Sequence, residues 1–154
     1  MRSLGIAGSG LACCLVIGCG VTIPHDPDGA LDRITGTTLR VGASPAQGLV
    51  RVDGAHVTGP LPDLVDEFAA TRDADIEFTV LGEEEIVDAL EAGRIDLGIG
   101  PMTDESPWTE RASQTRGYDT VPGADGRKVV LLLPLGENRF QSALETFLDA
   151  EVGP

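Results

Sequence analysis

The chain contains little positive charge. Its 154 residues include 11 lysines and arginines against 25 aspartates and glutamates, a net charge of −14, and Lys128 is the only lysine. Proteins that bind nucleic acid neutralise phosphates with clustered lysines and arginines, and no such cluster follows Arg2. We therefore expect no nucleic-acid partner. The excess of acid favours solubility but identifies no ligand.

Cysteine and histidine are also scarce. The three cysteines, Cys13, Cys14 and Cys19, lie near the N-terminus, and the two histidines are His25 and His56. This supply provides neither a disulfide framework nor a cluster of ligands for a metal ion. We therefore expect no metal site and no cofactor.

Motifs for catalysis are missing as well. The sequence has neither a G-x-x-x-x-G-K-[ST] phosphate loop nor an H-E-x-x-H zinc motif, and no nucleophile elbow surrounds Ser44. These absences favour a binding or interaction protein over an enzyme.

The N-terminus carries one positive charge followed by a short apolar run. Arg2 precedes the run at 4–17, and Val16-Ile17-Gly18-Cys19 places an aliphatic and a small residue before cysteine. This resembles a bacterial lipoprotein signal peptide, spanning residues 1–18. The resemblance implies that Cys19 becomes a diacylated N-terminus, which would anchor the protein to the outer face of a bacterial membrane, in the cell envelope. The alternative is a transmembrane helix, for which the run is short and rich in glycine.

Residues 19–36 are predicted to form a flexible tether. The segment mixes proline, aspartate, glycine and threonine without a sustained apolar period, which is typical of a linker. One turn of helix fits at Ala30–Ile34. The length allows one domain with a real core, and we expect it to span residues 37–152.

The rest of the chain alternates between strand and helix patterns. Alternating or continuous apolar residues predict strands, and apolar residues spaced i, i+3, i+4, i+7 predict helices. In chain order these are a strand at 38–43, a hairpin at 49–58, a helix at 59–70, a strand at 76–80, a helix at 83–92, a strand at 95–100, a strand at 128–133 that is continuously apolar after Lys128, and a final helix with Phe140, Leu144, Phe147 and Leu148 on one face. This order predicts an α/β fold with a mostly parallel sheet and helices on both faces.

The stretch Gly93–Arg111 is where we expect a ligand site. Its strand contains Gly98 and Gly100, at positions where a side chain would obstruct close backbone approach. Ligands of parallel α/β sheets bind beyond the carboxyl ends of the strands, which brings the loop at 44–48 together with the loop at 101–103. Such an edge would present hydroxyls, backbone N–H groups and a guanidinium. These hydrogen-bond donors can bind a small carboxylate.

The pattern from Gly93 through Met102-Thr103, closing on Thr109-Glu110-Arg111, resembles the core of the family 3 extracellular solute-binding proteins, the polar amino acid receptors of ABC importers. The resemblance implies one lobe of a type II periplasmic-binding-protein-like fold. It also implies that Thr103 and Arg111 contact the head group of an amino acid. A structural clamp on the loop, tied to Asp104 or Glu110, is a second interpretation of Arg111. The residues predicted to contact the ligand are Ser44, Gln47, Pro101, Met102, Thr103 and Arg111.

Three further residues are expected to support this site. The resemblance makes Asp63 an acidic residue that helps orient the cleft, although a carboxylate at the positive end of a helix is a second interpretation. Trp108 either covers the cleft or anchors its loop, and Tyr118 ends a segment similar to the family's F-S-x-P-Y. The loop after the first strand has Ala46 and Gln47 where many family members have an aromatic residue, so we predict no aromatic stack.

The region after Tyr118 indicates a single lobe. A full-length receptor of the family would enter a second lobe here, whereas residues 119–127 lead directly into the apolar run. An open half-site should bind a small polar solute, an amino acid or an organic acid, only weakly, with a Kd on the order of millimolar. The expected partner is a membrane transporter subunit. The alternative is an interaction or sensor module without a free ligand, which docks to a transporter or another envelope complex.

Overall fold

The structure, a computed structural model, describes residues 28–153. It contains the helices α1 (Ala30–Ile34), α2 (Pro60–Ala70), α3 (Glu83–Glu91) and α4 (Asn138–Glu151). The strands are β1 (Thr38–Ala43), β2 (Arg51–Asp53), β3 (His56–Thr58), β4 (Asp75–Val80), β5 (Leu97–Ile99), β6 (Ser113–Gln114) and β7 (Leu132–Leu133), and Pro107–Glu110 form a 3-10 helix. The predicted helices and strands between residues 38 and 100 are all present, with small shifts at their ends.

Five strands form one sheet in the order β4-β1-β5-β7-β6. β1 pairs in parallel with both β4 and β5, with Ala43 level with Val80 and Ile99. β7 is antiparallel to both β5 and β6, so β6 runs in the same direction as β4, β1 and β5. The sheet is therefore mostly parallel, as predicted, and the β2-β3 hairpin stands apart as a two-stranded sheet.

Helices cover both faces of this sheet. On one face, buried side chains of α1, α2 and α4, with Phe68 and Phe140 among them, pack in one cluster with those of β1. On the other face, Ile86 and Leu90 of α3 form a second cluster. The predicted α/β architecture, with helices on both faces of the sheet, is confirmed.

The apolar part of the predicted strand at 128–133, residues 129–133, lies between these two layers. Val129, Leu131 and Leu133 belong to the cluster under α1, α2 and α4, whereas Val130 and Leu132 belong to the cluster under α3. Successive residues of an extended chain point to opposite faces. A segment covered on both sides therefore needs an apolar side chain at every position.

The regular part of this run is shorter than predicted, because β7 comprises only Leu132–Leu133. Val129 instead forms isolated bridges to Thr103 and Tyr118. The first half of the run therefore pairs with loop backbone, since β5 has already ended at that level.

Part of the predicted tether is folded, which corrects its boundary. Residues 28–36 include α1, whose Ala30 and Ile34 are buried in the core. The buried carboxylate of Glu137 accepts hydrogen bonds from the N–H groups of Asp28 and Ala30, at 2.9 and 3.0 Å. An apolar helix face and a buried acceptor thus fix a segment whose composition alone is typical of a linker.

Residues 1–27 and residue 154 lie outside the described residues. The signal peptide at 1–18, the lipidation of Cys19 and the first part of the tether therefore stay predictions. Between residues 28 and 153, no helix combines the length and the apolar character that crossing a bilayer requires.

Candidate functional site

The loops that follow β1 and β5 meet at one edge of the sheet, which we call the C-terminal edge. The N–H of Ser44 donates to the carbonyl of Ile99 at 2.9 Å. A Cβ placed on Gly100 would lie 2.8 Å from the Cβ of Ser44, which is too close for two carbon atoms, so glycine permits this approach. The fold therefore brings Ser44 next to the start of the loop that carries Pro101 and Thr103.

The residues after β5 differ in what they present to solvent. Pro101 and Thr103 are half-buried, but Met102 is completely buried under α3. The Met102 side chain packs the core, which corrects its predicted contact with a ligand. The N–H of Thr103 donates to the hydroxyl of Ser106 at 3.0 Å, so the hydroxyl of Thr103 is the group that it can offer to a solute.

Residues 119–127 pack against the loop after β1. Gly48 and Gly123 have left-handed backbone conformations, with φ of 78° and 84°, and a Cβ on Gly123 would overlap the carbonyl oxygen of Gly48. Only glycine tolerates both the left-handed backbone conformation and this close contact. Arg127 donates hydrogen bonds to the carbonyls of Gln47 and Gly123, at 3.3 and 3.0 Å. The backbone of Gln47 is thereby held at the C-terminal edge while the residue stays exposed.

Arg111 clamps its loop onto α3. Its guanidinium forms an ion pair with Asp88 at 2.8 Å and a second one with Glu91. Hydrogen bonds with Glu91, and then with Asp88, raise the pKa of Arg111 above its ordinary value. Both carboxylates lie in the second half of α3, which starts near the C-terminal edge, after β4, and leads away from it. In this structure Arg111 therefore contacts α3 and not Thr103, and its contact with a ligand stays a prediction.

For the three residues expected to support the site, contacts within the protein account for their positions without a ligand. Trp108 packs against the cluster under α3, so it anchors its loop. Tyr118 is fully buried, and its hydroxyl donates to Asp149 of α4 at 3.0 Å. Burial, with a further contribution from Asp149, raises the pKa of Tyr118 above its ordinary value. Asp63 is exposed in the first turn of α2. This position agrees with the interpretation that its carboxylate lies at the positive end of the helix dipole.

Sequence reasoning missed a charged cluster at the opposite edge of the sheet. Buried Asp96 accepts hydrogen bonds from Arg33 at 2.9 Å and from Arg40 at 2.7 Å. Burial acts to raise the pKa of Asp96, but the hydrogen bonds from Arg40 and Arg33 outweigh it, so this pKa lies below its ordinary value. The cluster borders a groove of about 560 Å³ together with Glu137 and holds α1 on the domain. An aspartate inside the apolar segment Ile95–Ile99 was the available signal.

Two grooves open at the C-terminal edge. One, of about 590 Å³, runs between residues 45–51 and 58–60. The other, of about 370 Å³, lies between residues 103–105 and 126–128. In the part of the chain that the structure describes, no three histidine, cysteine or acidic side chains are grouped to hold a metal ion. The edge offers hydroxyls, backbone groups and exposed charges to a small polar molecule.

Comparison with known proteins finds similarity of structure. No family model and no curated protein matches the sequence. Domain 1 of TmArgBP from T. maritima, solved as a point mutant in its arginine-bound form, matches with a TM-score of 0.68 at 19% identity, over 79% of this chain and 97% of that one. The chain has the fold of a solute-binding-protein lobe. This lobe matches nearly the full length of an isolated domain 1.

Two further solved structures show how widely the lobe fold is used. An ancestral cationic amino acid solute-binding protein matches with a TM-score of 0.51 at 27% identity, over 57% of this chain and 40% of that one. A mutant of an ancestral cyclohexadienyl dehydratase matches with a TM-score of 0.67 at 13% identity, over 78% of this chain and 89% of that one. The solute-binding lobe fold is therefore shared by a protein named for binding and by one named for an enzymatic activity.

Proposed function

We propose that this protein is a lipid-anchored, extracytoplasmic, single-lobe binding domain for a small polar solute, an amino acid or an organic acid, in a transport system. The observation that supports it most is the match to a domain 1 that was solved in an arginine-bound form. The contact between the loops after β1 and β5 supports a solute site at the C-terminal edge.

The open edge sets the expected affinity. A solute on one lobe keeps much of its contact with water, and each exposed ion pair is worth only about 0–1 kcal/mol. A Kd on the order of millimolar follows for the isolated domain. A membrane transporter subunit that covers the C-terminal edge would complete the enclosure that tight binding requires.

Thr103→Ala tests this site. The Thr103 hydroxyl makes no hydrogen bond within residues 28–153, so its removal should leave the melting temperature unchanged. It should weaken solute binding about three- to ten-fold through loss of one hydrogen bond. Calorimetric titration of the mature domain with polar amino acids and organic acids measures the change.

The matched control is Thr146→Ala, whose hydroxyl donates to the Ser142 carbonyl at 2.7 Å on α4, and this variant should bind like the parent. If the parent domain binds no member of the panel, the proposal fails.

The lipid anchor is proposed from the segment Val16–Cys19. Cys19→Ser should leave an unprocessed precursor without acyl chains, because the thiol is the acceptor that the lipoprotein signal supplies. Metabolic labelling with fatty acid, followed by gel analysis, checks this prediction. Equal labelling of the variant and the parent would rule out the anchor.

A second candidate function, an interaction module without a free ligand, has one observation in its favour. β4 lies at the edge of the sheet, and within residues 28–153 it pairs only with β1. Such an edge can accept a strand from a partner protein, and Val80 at its end is 43% exposed. Capture of a membrane complex that is independent of any added solute would favour this function over solute binding.

A further inference from the structure

The outer side of β4 is the longest stretch of unpaired strand backbone in the five-stranded sheet. β4 and β6 are its outermost strands, and β4 spans the six residues Asp75–Val80, whereas β6 has only two. Within residues 28–153, β4 pairs with β1 alone. The N–H and C=O groups along such an outermost strand are those to which a further strand can bind.

Three residues of β4 direct their backbone groups outward. The N–H groups of Asp75 and Leu81 donate to carbonyls on the β1 side, at 2.8 and 3.0 Å. The direction of the N–H group alternates from one residue to the next along a strand. The N–H and C=O groups of Ile76, Phe78 and Val80 therefore point away from β1.

The two faces of β4 differ in chemistry. Ile76 and Phe78 are partly buried against the cluster under α1, α2 and α4, and Val80, which lies on the same face, is 43% exposed. Asp75 and Glu77 alternate with these residues and are exposed on the other face. A strand that pairs with β4 would therefore lie beside apolar side chains on one face and carboxylates on the other.

The charge around β4 is strongly negative. Residues 60–91, which comprise α2, β4 and α3, contain eleven carboxylates and one basic residue, Arg72. Arg40 lies beside Glu77 on β1 but forms its ion pair with Asp96, at 2.7 Å. The Glu77 carboxylate thus stays exposed to solvent, and the field around it attracts cations.

We propose that the outer side of β4 binds an extended segment of a partner protein in which cationic and apolar residues alternate. Cationic side chains of this segment lie beside Asp75 and Glu77, and its apolar side chains lie beside Ile76 and Phe78. The proposal names the partner of the interaction module, the second candidate function on which it rests, and it does not depend on solute binding. A second copy of this chain is a poor occupant, because two β4 strands side by side would bring like charges together on one face.

The probe is a synthetic peptide as long as β4, in which lysine alternates with valine. It should bind the mature protein saturably, and NMR should show slower hydrogen exchange at the amides of Ile76, Phe78 and Val80, because each gains a hydrogen-bond acceptor. One control peptide has the same residues in two blocks, which keeps the charge and removes the alternation. Another has glutamate in place of lysine. Both controls should bind more weakly, without slower exchange at these amides.

Glu77→Lys should weaken binding of the lysine–valine peptide about ten-fold, since an attractive exposed pair becomes a repulsive one. Thr79→Lys adds a positive charge at an exposed position of the same face and should weaken binding too, which provides a second variant if the first one destabilises the domain. Glu151→Lys is the matched control and should bind like the parent. It makes the same charge change at the exposed end of α4, where Asp149 pairs with Arg116 beyond β6, the strand on the other side of the sheet.

Several results would overturn the proposal. One is no saturable binding of the lysine–valine peptide, and another is equal binding of either control peptide. Binding that leaves the exchange of the three amides unchanged would show attraction between charges without strand pairing. Slow exchange at these amides before any peptide is added would show that β4 already has an occupant, which is a second copy if the protection grows with protein concentration.

These outcomes are separate from those of the proposed function. Failure of the peptide would leave solute binding in place, because the titration with amino acids and organic acids tests the C-terminal edge. Capture of a membrane complex by a Glu77→Lys variant as efficient as that by the parent would retain the interaction module and remove β4 from it.

Discussion

Replacing Val130 by aspartate should unfold most of the protein at room temperature. The Val130 side chain has no exposed surface and lies in the cluster under α3. A carboxylate at this position would be buried without a partner, at a cost of several kcal/mol. That cost is comparable with the total stability of an ordinary domain, about 5–15 kcal/mol. Circular dichroism during a thermal melt should show no cooperative transition.

Val80→Asp is the matched control for this substitution. Val80 lies at the end of the edge strand β4 and is 43% exposed. An aspartate at this position stays in contact with water, so the free energy of unfolding should fall only slightly. A cooperative melt of the Val130 variant near the parental temperature would show that the apolar run is not sandwiched between two helical layers.

Gly98→Ala should destabilise the domain by about 1–3 kcal/mol through overpacking. A Cβ on Gly98 would overlap Cγ2 of Ile86, which is fully buried in α3, and would lie 3.4 Å from the Cβ of Leu132. α3 must therefore shift away from the sheet to admit one methyl group. Urea unfolding measures the loss.

Two further variants test the cause of this loss. Gly82→Ala, at a φ of −74° with its nearest atom 3.4 Å away, should cost about 1 kcal/mol or less. Combining Gly98→Ala with Ile86→Ala should cost less than the sum of the two single changes, since removal of the Ile86 methyl makes room. Strict additivity would place the two residues out of contact.

The layers of the fold could be predicted from the sequence because apolar spacing reports them directly. The spacing of Leu61, Leu64, Val65 and Phe68 fixes the buried face of α2, and these residues are buried. The continuous run at 128–133 indicates cover on both sides. The packing of α1 could not be predicted, because it depends on Glu137 and Asp96, which are far from it in sequence.

The candidate site was harder to predict than the fold. Topology alone places the loops after β1 and β5 together, and the structure agrees. The partners of Arg111 could not be predicted in the same way, since a guanidinium on a long side chain pairs with whichever carboxylates the folded chain presents. The sequence did contain one indication against this contact: Arg111 lies eight residues after Thr103, so the loop between them must fold back if both residues are to reach one ligand.

Solute binding at the C-terminal edge is tested most directly by mapping amide chemical shifts of the mature, isotope-labelled domain during titration with L-arginine and other polar amino acids. The account predicts saturable shifts with a Kd on the order of millimolar, concentrated in residues 44–48, 100–104 and 126–128. Shifts confined to the groove around Asp96 at the opposite edge, or no saturable shift with any amino acid or organic acid, would contradict it.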